Sequence, residues 1–148
     1  MARSILGVIV GYLAMVLIVF TTLTGSFLAL GVDRVFLPGS YDVTALWLVV
    51  MTVFSIAAAI VGGWVCAVIA KKKGAVTGLI ILVVVLGILS AIPALMDHAR
   101  PTRTGNVPNL QAMANGMEPP WYSLLLPIIG AVGVWIGSRP LTGPKNLM

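Results

Sequence analysis

Four long apolar stretches dominate this sequence, and nearly all of its charged residues fall between them. The stretches cover residues 4–30, 44–70, 75–96 and 121–136. A helix needs about 17–25 apolar residues to cross a hydrocarbon core roughly 30 Å thick. Three stretches meet that length easily and the fourth meets it narrowly. The lengths therefore predict an all-α, integral membrane four-helix bundle, with residues 1–148 forming a single four-span domain.

The composition supports this prediction independently of where the stretches lie. The chain is 59% hydrophobic and 9% charged, whereas about 25% of the residues of ordinary soluble domains are charged. A net charge of +5 would suggest nucleic-acid binding in a soluble protein. Here the basic residues lie beside the spans, where they orient the chain in the membrane. We therefore expect membrane lipids around the protein and no nucleic-acid partner.

The distribution of charges predicts the orientation. One set of gaps carries six basic residues and no acidic residue: Arg3, Lys71, Lys72, Lys73, Arg139 and Lys145. The other set carries Arg34, Arg100 and Arg103 together with Asp33, Asp42, Asp97 and Glu118. Lys and Arg favour cytoplasmic loops. Both termini, including a tail over residues 139–148, are thus expected in the cytoplasm, and residues 97–120 form a longer outer loop between helices 3 and 4.

A short Lys-rich turn joins the second and third helices. Only Lys71 to Gly74 separate the two stretches, which predicts antiparallel neighbours, and Gly74 is suited to ending a helix. Lys71, Lys72 and Lys73 have two interpretations: a topology signal alone, or a site for anionic lipid headgroups. We expect bound lipid and no other cofactor. Because no organelle-targeting presequence is evident, we expect the inner (plasma) membrane of a bacterium.

Small residues recur at helical spacing in the spans. In the second span, one file contains Ser55, Ala59, Gly63 and Ala67, and the adjacent file contains Ala58, Gly62, Cys66 and Ala70. Such faces let helix backbones approach closely in lipid, so this span is expected at the centre of the bundle. The other spans supply possible partners: Gly7, Gly11, Gly87, Gly130, Gly133 and Gly137. Helix packing explains these residues, and the lining of a pore or groove is the alternative.

The outer ends of the spans hold aromatic, hydroxyl and proline residues. Phe36, Tyr41, Trp47, Trp121 and Tyr122 are expected to anchor the protein at the membrane interface. The hydroxyl groups of Thr21, Thr22, Thr24 and Ser26, together with the bends at Pro93 and Pro127, leave two interpretations. In the first, the hydroxyl groups donate hydrogen bonds to backbone carbonyls inside the bundle, including those freed by the proline bends. In the second, they form a polar pocket near the outer leaflet.

The longer outer loop contains a predicted short helix. Residues 108–115 begin with a proline and precede Gly116, as is typical of a helix with a proline in its first turn and a glycine after its end. Leu110, Met113 and Met117 would share one face of it, as candidates for docking on a partner. A solvated connector without a partner is the alternative.

Chemistry typical of enzymes and pumps is missing from the sequence. No ionisable residue lies well inside a span, and ion-coupled transporters usually place one there. No nucleophile–base set, Cys pair or phosphate-binding glycine loop is present, so we expect no enzymatic activity, although an active site shared with another chain stays open. His98 would supply one ligand to a pigment or haem, but zinc normally needs three or four, and no metal site is expected.

These observations lead to a first functional hypothesis. The abundant small faces and the outer loop favour an accessory or structural subunit of a larger membrane complex, in contact with other membrane-protein subunits or with copies of itself. One alternative is a small channel or carrier for a neutral or lipid-like solute, built around the hydroxyl and proline region. The other is a subunit that holds a lipid or pigment.

Overall fold

The computed structural model describes residues 1–96 and 102–142. The helices in this part are α1 (Ala2–Leu30), α2 (Val32–Val35), α3 (Ala45–Ala70), α4 (Lys73–Met96), α5 (Asn109–Ala114) and α6 (Pro120–Thr142). Four of them, α1, α3, α4 and α6, are long and apolar enough to cross a membrane. The prediction of an all-helical chain with four long apolar helices is confirmed.

Helix α3 has the most extensive contacts of the four long helices. It packs against α1 on one side and α6 on the other, whereas α4 packs mainly against α6 and less against α1. Gly7 of α1 lies beside Ala70 at the end of α3, and Gly11 lies beside Gly62, so α1 and α3 run antiparallel. Helices α3 and α4 make little contact despite their short connection. The two helices are antiparallel, as expected, but they do not pack closely as neighbours, because α1 and α6 occupy the small faces of α3.

The chain reverses direction between α3 and α4 at Lys71, not at the glycine. Lys71 adopts the left-handed conformation with φ 51° and ψ 26°, and its N–H donates to Ala67 O at 3.0 Å. A positive φ is uncommon for a residue other than glycine. Gly74 instead lies in the first turn of α4. We call this end of the bundle, with Arg3, Lys71–Lys73 and Arg139, the lysine end, and the opposite end the loop end.

Helix α6 is longer than the apolar stretch that predicted it. The stretch ends at residue 136, whereas the helix continues to Thr142. Ser138 is buried and its hydroxyl donates to Trp135 O at 2.9 Å, so a polar side chain is satisfied by the helix itself. The assignment of residues 139–148 to a tail stays a prediction, since residues 143–148 lie outside the described part of the chain.

Aromatic side chains at the loop end pack inward as one cluster. Phe27 meets Phe36 and Trp47 edge to face, with ring centroids 5.9 and 5.8 Å apart, and Phe36 meets Tyr41 at 6.0 Å. Edge-to-face pairs of this kind add stabilisation beyond the area they bury. Phe36, Tyr41 and Trp47 are therefore buried within the protein, and they do not present exposed rings as the sequence suggested. They are covered because α2 and the following loop fold back over the helix ends.

Backbone hydrogen bonds join the two loops at this end into one cap. Val43 N donates to Met117 O at 3.2 Å, and Met117 N donates to Tyr41 O at 2.9 Å. Arg103 N donates to Gly39 O at 3.0 Å, and the Arg103 guanidinium pairs with Asp33 at 3.2 Å. The described part of the second loop is thus held against the first loop at Arg103 and Met117.

Candidate functional site

A cavity of about 900 Å³ opens at the loop end between α4, α6 and the cap; we call it the loop-end cavity. Helix α4 supplies Gly87, Ser90, Pro93 and Ala94 to one wall. The volume falls in the range of roughly 300–1,000 Å³ that is typical of small-molecule sites.

The opposite wall and the roof come from α6 and the two loops. Trp121, Ser123 and Leu126 of α6 face the α4 wall, and residues 114–120 with part of residues 37–43 close the top. The cavity therefore depends on segments from three separate parts of the chain.

The loop-end cavity extends far along the helices. The lining residues of α4 run from Ala94 to Gly87, which are seven residues apart. At 1.5 Å per residue this distance is roughly 10 Å along the helix axis, about a third of the roughly 30 Å hydrocarbon thickness. The cavity thus runs from the loops into the bundle, and its deep end is lined by Gly87 and Leu126.

Two carboxylates, Glu118 and Asp42, line the part of the cavity near the loops. The Glu118 side chain is half-buried and, among the described residues, it forms no hydrogen bond or ion pair. Burial raises the pKa of the Glu118 carboxyl because desolvation disfavours the charged form. Asp42 is a second carboxylate in the lining and accepts a hydrogen bond from Ser40 Oγ at 2.9 Å. No Lys or Arg is found among the described lining residues.

Local sequence holds Glu118 in place from both sides. Before it, the backbone of Met117 is bonded to Tyr41 and Val43 of the first loop. After it, Pro119 and Pro120 restrict the backbone and start α6, where Tyr122 N donates to Pro119 O at 2.9 Å. A proline suits the first helical position, because its missing N–H has no partner there in any helix.

Tyr122 then fixes the start of α6 to α3. Its side chain is 2% exposed, and its hydroxyl lies 3.0 Å from Thr52 Oγ1 and donates to Leu48 O at 3.3 Å. Thr52 also donates to Leu48 O at 2.7 Å. The wall of the cavity is therefore anchored to α3, and the buried Tyr122 does not present the exposed ring that the sequence suggested. Trp121 is 61% exposed.

This arrangement combines a carboxylate near the loops with walls below it that contain both apolar residues and the hydroxyl groups of Ser90 and Ser123. A carboxylate accepts hydrogen bonds from hydroxyl or ammonium groups, and the apolar part of the walls, at Pro93, Ala94 and Leu126, suits a hydrocarbon chain. The site thus fits an elongated amphiphile. Within residues 1–96 and 102–142, no three His, Cys, Asp or Glu side chains group together to hold a metal ion.

The small residues of α3 divide between two partners. Gly62 and Cys66 lie against Gly11 of α1, so that file faces α1. In the adjacent file, Gly63 lies against Val134 of α6 and Ala59 against Gly133. The two files thus serve two interfaces, where the sequence suggested one combined face. Ala67 is buried and Ser55 is half-buried.

The remaining glycines named from the sequence also lie at helix contacts. Gly137 is beside the backbone of Ile60 in α3, Gly130 is beside Val83, and Gly87 is beside Pro127. Gly7 meets Ala70. A Cβ at any of these glycines would approach a neighbouring helix at close range. These glycines therefore allow close packing between helices of the same chain.

The candidate docking residues do not share one surface. Leu110 is 85% exposed and Met113 is also exposed, whereas Met117 packs against the aromatic cluster. Ala112, on the opposite side of α5, is fully buried. The short helix is therefore attached through Ala112, and its free side carries Leu110 and Met113.

The hydroxyl groups of α1 lie outside the cavity. Thr22 Oγ1 donates to Ile18 O at 2.6 Å, and the cavity wall instead contains Ser90, Ser123 and prolines of α4 and α6. Lys71, Lys72 and Lys73 are exposed at the lysine end. His98 lies outside the described residues, and its role as a ligand stays a prediction.

Glu118 was missed as a site residue in the sequence. It contributed to the charge count alone, although it is a single carboxylate directly before two prolines and an apolar helix. That position could have identified Glu118 as a candidate site residue, because prolines at the start of a helix restrict the backbone and hold the preceding residue near the helix N-terminus.

The chain matches no protein-family model, no curated protein and no solved structure. We therefore infer its function from the geometry of the described residues.

Proposed function

We propose that this protein is a membrane-embedded binding protein, or small carrier, for a lipid-like amphiphile whose headgroup carries hydrogen-bond donors. The observation that carries the proposal is the loop-end cavity, which combines Glu118 near the loops with a partly apolar wall on α4 that extends roughly 10 Å along the helix. The headgroup lies beside Glu118 and the hydrocarbon lies along α4 and α6. No chemical conversion of the ligand is part of this proposal.

The packing of the glycines favours this function over assembly through the helix faces. The small faces suggested a subunit that packs on other membrane proteins, but Gly7, Gly63, Gly133 and Gly137 contact neighbouring helices of the same chain. These faces are therefore not free for a partner helix. An amphiphile site needs no such face, since the cavity is built from one chain.

We further propose that the lysine end faces the cytoplasm of a bacterium and that the loop end faces outward at the inner membrane. The lysine end holds Arg3, Lys71–Lys73 and Arg139, and Asp33, Asp42 and Glu118 all belong to the loop end. This asymmetry follows the positive-inside rule. The loop-end cavity then takes its ligand from the outer leaflet.

The test measures which lipids stay with the purified full-length chain. The protein is extracted in mild detergent, and its retained amphiphiles are counted by native mass spectrometry. Ala94→Leu, which adds side-chain volume to the cavity wall, and Glu118→Gln, which removes one of its two carboxylates, should both reduce retention. Ala57→Leu is the matched control, because Ala57 is an exposed alanine on α3 that does not line the cavity. Equal retention in Ala94→Leu and Ala57→Leu would rule out the cavity as the site.

The exposed side of α5 favours a second candidate function, that of an accessory or structural subunit of a larger membrane complex. Leu110 is 85% exposed on a helix that Ala112 and the cap hold in place. A fixed, exposed leucine of this kind is suited to contact with another membrane-protein subunit or a second copy of the chain.

Co-purification separates the two candidates. A stoichiometric foreign subunit that is lost in Leu110→Gln but kept in Ala94→Leu supports the accessory role. A chain that purifies without other subunits and retains an amphiphile supports the carrier role.

A further inference from the structure

A second, smaller cleft lies at the lysine end, between the first turns of α1 and α4. Its volume is about 360 Å³, and Ile5, Val8 and Ile9 of α1 form one side of it. The α4 side consists of Gly74, Ala75 and Gly78. The cleft exists because α4 presents almost no side-chain volume there: a Cβ at Gly74 would meet open space, and one at Gly78 would lie 3.7 Å from Val8 Cγ2.

The upper rim of this cleft is basic. Lys72 lines the cleft itself, and it is exposed between Lys71 and Lys73. Arg3 directly precedes Ser4, another lining residue. Among the described residues, every Asp and Glu belongs to the loop end of the molecule. A ligand in this cleft therefore meets positive charge at one end and hydrocarbon along its length.

We propose that this cleft is a binding site for an anionic phospholipid, with one acyl chain between α1 and α4 and the phosphate beside Lys72. Basic pockets between membrane helices are typical sites for anionic lipid headgroups. The Lys-rich turn then binds one lipid at a defined site, in addition to attracting anionic lipids non-specifically through its exposed charges. This site is at the opposite end of the bundle from the loop-end cavity and does not depend on the function proposed for it.

The two neighbouring lysines provide the experiment. The full-length protein is placed in nanodiscs of phosphatidylcholine and phosphatidylglycerol in equal amounts, then extracted, and the retained lipids are counted by native mass spectrometry. Wild type should be enriched in phosphatidylglycerol. In Lys72→Gln the enrichment should fall about fivefold, which corresponds to the roughly 1 kcal/mol contributed by a basic residue near an anionic surface.

Lys73→Gln is the matched control, because Lys73 is equally exposed in the same turn but does not line the cleft. It should leave most of the enrichment in place. Equal losses in Lys72→Gln and Lys73→Gln would show diffuse attraction and overturn the proposed site.

A second pair of variants tests the cleft without removing charge. Gly78→Leu fills the cleft and should abolish the enrichment, whereas Gly25→Leu adds the same side chain at an open position on α1 and should have no effect. Helical circular dichroism and the melting temperature show that both variants are folded. Wild-type enrichment in a folded Gly78→Leu would contradict the proposal.

Discussion

The contact between Gly63 and α6 yields a quantitative prediction about stability. A Cβ at Gly63 would lie 2.8 Å from Val134 Cα and 2.9 Å from its carbonyl carbon, and closer still to its carbonyl oxygen. Carbon atoms normally rest about 3.5–4.0 Å apart. Since the obstructing atoms are backbone, no rotamer change relieves the overlap. In Gly63→Ala, α3 and α6 must therefore separate by roughly 1 Å.

The expected loss follows from two opposing effects. Overpacking of a tight core typically costs about 1–3 kcal/mol, and replacing glycine by alanine inside a helix returns about 0.5–1 kcal/mol. Because the overlap is with backbone, we expect a net loss of about 1–2 kcal/mol in the free energy of unfolding. This loss corresponds to a factor of roughly 5–30 in the folding equilibrium.

The assay compares Gly63→Ala with Gly25→Ala. Gly25 lies in α1, and a Cβ there would meet nothing within 4 Å, so Gly25→Ala carries the helix-propensity gain without the overlap. Unfolding of each purified variant is followed by circular dichroism in mixed micelles with an increasing fraction of sodium dodecyl sulfate. Gly63→Ala should unfold at a lower fraction than wild type. The reasoning is refuted if it unfolds together with Gly25→Ala or later.

Three further predictions concern the loop end. Burial raises the Glu118 pKa above its ordinary value near 4.5, so the folded state holds this proton more tightly and stability falls as pH rises from that value through the raised pKa. In Glu118→Gln, the melting temperature should therefore fall less as the pH rises over this range. A dependence of melting temperature on pH that equals that of wild type would contradict the prediction. Tyr122→Phe removes two hydroxyl contacts and should destabilise the fold by about 1 kcal/mol; Thr52→Val combined with it should show non-additive losses, and full additivity would contradict coupling through that hydroxyl. Trp47→Ala empties part of the aromatic cluster and should cost about 3–5 kcal/mol in the same micelle assay, whereas a loss below about 1 kcal/mol would mean that the cluster closes over the gap.

The apolar lengths predicted the main elements because a span is a local property of the sequence. Residues 44–70 and 75–96 closely match α3 and α4, and the short helix expected over residues 108–115 is found as α5. Periodicity also drew attention to Gly62 and Gly63. It did not show that these two adjacent glycines serve different neighbours, since spacing alone does not identify the partner helix.

The positions of the aromatic residues were not predictable in the same way. Phe36, Tyr41 and Trp47 have the composition of an interfacial belt, but Phe36 and Trp47 pack on Phe27 of α1, and Tyr41 packs on Phe36. Whether an aromatic ring at a helix end meets lipid or protein depends on how the loop folds back. That folding is set by hydrogen bonds between loops far apart in the chain.

By itself, the sequence determined that four apolar helices form, because helix length and hydrophobicity are summed over neighbouring residues. Only the tertiary structure decided which helices touch, where the two cavities lie, and that Glu118 is half-buried at one of them. The physical reason is the separation along the chain of the residues in contact. The surroundings of Glu118 are formed by α4, α6 and a loop about 75 residues earlier in the chain. A pattern of neighbouring residues does not predict contacts between residues that far apart in the sequence.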